Sequence, residues 1–224
     1  MSRFRLSSYV PLPLLLALGI IVAVLYRHDA TAQNVVRPTN MLYDATLSGN
    51  VLTLPLIIRI PATICENGTP FSGGWSTATG KWPAATCLEG TNVTLGVAEF
   101  EDGNDDQLQY IFRLPTDWIT TIDLQLYWRT SVTTGNVVWQ ISTVCMADAE
   151  TVDPVMNAVQ TITDAAKGTT LQANTATLSS LTTTGCAAGE LFNLKIMRNG
   201  AHASDTLSAA AQLIYAELTI RRAI

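Results

Sequence analysis

Histidine is nearly absent from this chain: His28 and His202 are the whole supply in 224 residues. That leaves nothing for a multi-histidine metal centre and little for histidine-based acid–base catalysis. Charge is sparse as well. Charged residues make up 14%, and 13 Lys+Arg stand against 18 Asp+Glu, a net charge of -5. A basic footprint able to neutralise phosphates is missing, so nucleic acid is excluded as a partner. No G-x-S-x-G elbow and no C-x-x-C pair occur, which removes the common hydrolase turn and the common zinc spacing. No cofactor-binding motif is found either, and no cofactor is expected. What remains is 48% hydrophobic, too apolar and too weakly charged for a disordered chain, and long enough to bury a real core.

The apolar residues begin at the N-terminus. Arg3 and Arg5 precede an uncharged run from Leu6 to Tyr26, closed by Arg27-His28-Asp29. At 1.5 Å per residue, a helix over this run would span about 31 Å, enough for a bilayer core. Tyr9 and Tyr26 stand where interfacial aromatics belong, and Arg5 and Arg27 can snorkel to the head groups. The same residues also read as a signal peptide, with Ala30-Thr31-Ala32 as a small-x-small cleavage site before Gln33. Both readings export everything after Asp29 and keep the Arg3/Arg5 end in the cytoplasm. The expected organisation is a signal-anchor or signal peptide over 1–29, a tether over 30–40 and a β domain over 41–224.

Cys65, Cys87, Cys145 and Cys186 are an even set in an exported chain, and so read as disulfides. Three connectivities are open; Cys65–Cys87 with Cys145–Cys186 is favoured, each bridge worth about 3 to 4 kcal/mol.

From Gln33 onward the pattern is β. Threonine is frequent, and Val, Ile and aromatic residues cluster between Gly, Asn, Asp and Pro. The clearest alternation sets Ile122, Leu124, Leu126 and Trp128 on one face and Asp123, Gln125, Tyr127 and Arg129 on the other. Residues 137–145 form a second strand after the Gly135-Asn136 turn, and the short connection predicts that the two pair side by side. Further strands are expected at 41–47, 51–60, 92–100, 110–114, 156–163, 169–178, 190–198 and 211–222, with a helical turn possible within 147–154 and 203–212. Short strands with regular turn signals predict an all-β antiparallel sandwich of jelly-roll type, preceded by one hydrophobic helix.

Several runs carry a resemblance: Asp105-Asp106, Phe112-x-Leu114-Pro115-x-Asp117-Trp118, Leu124-x-Leu126-Tyr127-Trp128-x-Thr130, Gly135-Asn136-Val137-Val138-Trp139, and Arg198 with Asp205-Thr206, Leu213-Ile214 and Leu218-x-Ile220. Over residues 95–222 the chain resembles jelly-roll β-sandwich proteins of tailed-phage virions and of uncharacterised secreted bacterial proteins. The resemblance implies a fold rather than a reaction centre. The N-terminal segment and the four cysteines depart from the phage members and favour a cellular, exported use.

Three constellations could carry chemistry. Asp102, Asn104 and Asp106 have the spacing with which calcium loops begin, although Gln107 takes the usual glycine position and Arg113 stands where a bidentate Glu is needed. The plainer alternative is a solvated turn. Glu99 and Glu101 could share a strand face as a carboxylate pair, and His202 is the one histidine left for a triad. The loop between Cys65 and Cys87 carries Phe71, Trp75 and Trp82, whose rings could dock a protein partner or a sugar, or fold back over a sheet edge. The expected function is a non-catalytic structural or interaction protein outside the cytoplasm. Its partners would be a membrane or surface assembly or further copies of itself, with the membrane reached through the N-terminal helix if uncleaved. A secreted carbohydrate-binding module is the alternative, and a secreted hydrolase a distant third.

Overall fold

The computed structural model describes residues 46–48, 51–66, 68–76 and 81–223. The Leu6–Tyr26 run with Arg5, Tyr9, Tyr26 and Arg27, the 30–40 tether and the cleavage point after Ala32 lie outside the described residues. The strands are β1 (Thr46–Ser48), β2 (Val51–Pro61), β3 (Thr63–Glu66), β4 (Thr69–Ser72), β5 (Ala84–Glu89), β6 (Thr94–Phe100) and β7 (Gln107–Arg113), followed by β8 (Trp118–Arg129), β9 (Asn136–Met146), β10 (Gln160–Ala165), β11 (Asn174–Leu178), β12 (Leu191–Arg198) and β13 (Ala211–Ala223). No helix occurs among the described residues; 147–150 and 201–204 are turns. Strands β3, β4 and β5, around the first cysteine loop, escaped the sequence pattern because they are short and their apolar residues do not alternate over a long enough run.

Two sheets face each other across one core. The first runs β1-β2-β13-β6-β5, with β8 on the other side of β13 and β11 beyond it. The second runs β10-β9-β12-β7, and β3-β4 form a separate hairpin. The stripe Ile122, Leu124, Leu126 and Trp128 is wholly buried, as its period of two requires. Opposite it, Val137, Trp139 and Ile141 of β9 are wholly buried too.

The expected pairing of β8 with β9 is wrong. β8 pairs with β11 and β13, whereas β9 pairs with β10 and β12. Residues 130–135 carry the chain from one sheet to the other, so the two apolar stripes meet face to face. Trp128 and Trp139 accordingly form an edge contact at 6.3 Å across the core. The start of β9 is taken up elsewhere: the carbonyl of Asn136 accepts from Thr206 N and Leu207 N, both at 2.9 Å. Gly135 lies so close to this chain that a Cβ would sit 2.6 Å from the Thr206 carbonyl oxygen, and its φ of +102° is left-handed as well.

β13 is the seam of the first sheet. Its inward residues are Ala211 and Leu213, then Ala216, Leu218 and Ile220. That sequence skips one position, and an irregularity between Leu213 and Tyr215 absorbs it. Without the extra residue every side chain beyond it would turn to the opposite face.

Candidate functional site

The loop after β2 is held by backbone bonds and by the Cys65–Cys87 disulfide, whose Cα atoms are 5.8 Å apart. Gly68, at φ +74°, closes the β3–β4 hairpin. Trp75 is not the open platform its surroundings suggest. It is 5% exposed, donates from Nε1 to the Pro61 carbonyl at 2.8 Å, and meets the edge of Tyr110 at 5.4 Å. The apolar ring is stabilised by leaving water, and the carbonyl satisfies its one polar atom. Next to it, Ser76 exchanges both backbone hydrogen bonds with Gln109, and Gln107 N donates to the Lys81 carbonyl. The segment thereby covers part of the outer edge of β7, an edge that would otherwise offer unpaired groups to another chain. Trp82 remains 41% exposed, and Phe71 lies on β4.

The acidic run has structural employment. Asp106, buried, accepts from Glu101 N at 3.0 Å, and Asp102 Oδ1 lies 3.5 Å from the Arg198 guanidinium, while Asn104 is exposed. Arg198 is the centre of this region. Its side chain and that of Asp205 are both fully buried. Nε and Nη2 grip the two Asp205 oxygens at 3.1 and 2.8 Å, and the remaining donors reach the carbonyls of Phe100, Ala209 and Leu207 at 3.0, 2.9 and 2.6 Å. Asp205 in turn accepts from Val138 N at 2.9 Å. A cation already faces Asp102, and Asp106 accepts from backbone. Among the described residues no group of three or more His, Cys, Asp or Glu is placed to hold a metal. His202 sits in an exposed turn, its Nδ1 accepting from Ser204 N.

Glu101 lies beyond the end of β6 at Phe100, so the strand does not set it on one face with Glu99. Glu99 instead accepts from Gln212 Nε2 at 2.5 Å, and Gln212 Oε1 accepts from Arg129 Nε at 2.8 Å. Desolvation holds the pKa of Arg129 below its ordinary value, and the charge of Glu99 opposes that shift. Beside Arg129 lies a cavity of about 290 Å³, between the β5–β6 hairpin, the end of β8 and the turn at Leu171. Sequence reasoning placed Arg129 on an outward face but had no signal for the cavity, since its walls come from segments about 40 residues apart in the chain. Further along the same face Tyr127 and Tyr215 stack at 4.2 Å, and burial raises the Tyr215 pKa.

Among the outward side chains of the second sheet, Ile111 and Leu191 are 49% and 45% exposed. The register sets them diagonally on β7 and β12, with Val144 and Met146 of β9 in the same two rows. Val152, Val155 and Val159, on the connection that follows β9, are exposed as well.

The second disulfide, Cys145–Cys186, ties β9 to the loop that closes one end of the core. In that loop Leu181 is buried, and the hydroxyl of Thr143 donates to the Thr182 carbonyl. Two disulfides and no free cysteine point to an oxidising, extracytoplasmic environment.

No protein-family profile matches this chain, and no curated protein sequence does. Among solved structures it is similar to an arabinose-bound GH51 α-L-arabinofuranosidase, at 10% identity and a TM-score of 0.38. The match covers 65% of this chain and 23% of that one. At that level of likeness no activity, sugar or partner transfers to this chain.

Proposed function

We propose that this protein is a non-catalytic structural or interaction module that works outside the cytoplasm, tethered by Leu6–Tyr26 or released after Ala32. The observation that carries the reading is a diagonal pair of exposed apolar side chains, Ile111 and Leu191, on the outer face of the second sheet. Ile111 and Leu191 lie exposed on the neighbouring strands β7 and β12, whereas Val144 and Met146 of β9 in the same rows are buried. A partner that covered Ile111 and Leu191 would remove this apolar surface from water, which favours association. The partner is a larger membrane or surface assembly, or further copies of the chain.

Strand order supports a jelly roll as the finer description of the fold. Taking β6 to β13 as eight successive strands, one sheet reads first-eighth-third-sixth and the other second-seventh-fourth-fifth. That order is a double Greek key. It fits the fold implied by the resemblance to phage-virion and secreted jelly-roll proteins. The sugar-binding alternative loses its main support with the burial of Trp75.

The test replaces both Ile111 and Leu191 by Lys in the full chain. Exposed positions tolerate the change within about 0.5 kcal/mol each, so the thermal transition should stay. Cross-linking in the native host should then lose the higher-mass species that the wild-type chain forms. If the wild-type chain forms none, or the variant forms the same ones, the interaction reading fails at this face.

A further inference from the structure

The cavity beside Arg129 has the makings of a ligand site. Its floor cation is only partly used. Arg129 Nε is bound to Gln212, whose amide is itself committed to Glu99, and neither Nη1 nor Nη2 meets an acceptor among the described residues. A guanidinium held at one end presents its two terminal nitrogens as a ready fork, the geometry that accepts a carboxylate in two parallel hydrogen bonds. Desolvation of that cation without a contacting acid is a cost that an anionic ligand would offset.

The walls have a different character. Leu88, Val93, Leu95 and Leu171 supply apolar surface around the cation. Leu171 holds a left-handed backbone with φ 64°, a conformation rare for a side chain of its size. Its amide is fixed to the Thr130 carbonyl at 3.1 Å, and it remains 51% exposed. A leucine kept half in water in a costly backbone state is a feature that ligand contact would explain. The opposite wall is also fixed, since Cys87 is tied to Cys65 and Gly90 N bonds the Val93 carbonyl across the hairpin turn. The site is largely pre-formed, which lowers the ordering cost of binding.

Size and charge narrow the ligand. About 290 Å³ is at the small end of ligand pockets. Glu89 also lines the cavity, so a dianion such as phosphate meets repulsion that a monoanion meets less. We propose that this cavity binds a small organic monocarboxylate with a compact apolar body, its carboxylate on the Arg129 fork and its body against Leu88, Leu95 and Leu171.

The experiment uses the oxidised full chain in detergent and 4-fluorobenzoate as probe, read by fluorine NMR. Wild-type protein should bind it saturably below about 10 mM, the weak end of small-ligand affinity. Arg129→Gln should weaken binding by at least about tenfold, the effect of losing a charge-assisted pair. Val93→Trp, at an exposed rim position, should block the cavity with the same loss while the thermal transition stays in place. Inorganic phosphate at equal concentration should not displace the probe. Absence of saturable binding in the wild type, unchanged affinity in Val93→Trp, or equal competition by phosphate would each overturn the assignment. Because none of these residues belongs to the Ile111–Leu191 face, the outcome is independent of the interaction reading.

Discussion

Replacing Asp205 by Ala should be among the most damaging single changes available in this protein. Its carboxylate is the only charge within the fully buried clasp that balances Arg198 at 2.8 Å; Asp102 is farther, at 3.5 Å, and half in water. Removing one partner of such a pair leaves an uncompensated buried charge and costs about 3–5 kcal/mol. Val138 N also loses its acceptor, adding about 1 kcal/mol. Set against a whole-domain stability of about 5–15 kcal/mol, the loss moves the protein close to its unfolding threshold. The assay is urea denaturation of the oxidised chain followed by tryptophan fluorescence, since Trp128 and Trp139 are wholly buried and report on the core. The denaturation midpoint should fall steeply with the slope unchanged. A surface pair sets the scale: Arg59 and Glu217 meet at 2.6 Å, but Arg59 is 65% exposed, and Glu217→Gln should cost less than about 1 kcal/mol. If Asp205→Ala costs no more than Glu217→Gln, the clasp does not hold the fold together and the reasoning is refuted.

Two further outcomes follow from burial and charge. Trp75→Ala should cost about 3–5 kcal/mol by cavity formation, whereas Trp82→Ala should stay within about 1 kcal/mol; equal effects in thermal melts would contradict the placement of Trp75. Asp117 pairs with Arg222 at 2.6 Å, and that hydrogen bond holds its carboxyl below the ordinary carboxylate range. The folded state then binds fewer protons than the unfolded one, so the pair stabilises the fold above the unfolded pKa and the contribution is lost as pH falls through the folded pKa. Wild type and Asp117→Asn should therefore melt further apart at neutral pH than in acid, and a gap that does not narrow on acidification would rule the linkage out.

Local periodicity made much of this fold legible. The stripe of Ile122, Leu124, Leu126 and Trp128 is a one-strand property, and it turned out wholly buried. The bridge Cys65–Cys87 was favoured for its composition and spacing, and is present. Pairing was harder. Whether β8 lies beside β9 or opposite it depends on what occupies the edges of β9, and that role falls to β10 on one side and to β12 with residues 205–207 on the other. The phase of β13 was unreadable for a related reason: a single extra residue near Ile214 reverses the faces, and nothing local announces it. Trp75 takes the fold-back alternative that the sequence left open, and loop composition could not decide it because it says nothing about a carbonyl waiting at Pro61. The Arg129 cavity exists only after the β5–β6 hairpin, the end of β8 and Leu171 have met.

The position of β13 has a consequence for the order in which the molecule comes into being. It follows the other described strands in sequence, yet it joins β2, β6 and β8 in one sheet, and its register with β2 links Pro61 to Tyr215 and Thr53 to Ala223. Such long-range closures are entropically slow, and they cannot begin until the final segment has been delivered. A chain emerging from a ribosome would wait, without its central strand, in an open state with its first sheet incompletely paired. Completion would come only once residues 211–223 have arrived to lie between strands already there. Lengthening the delay before β13 emerges should prolong that open period, during which the unpaired edges of β2 and β8 are offered to any neighbouring chain.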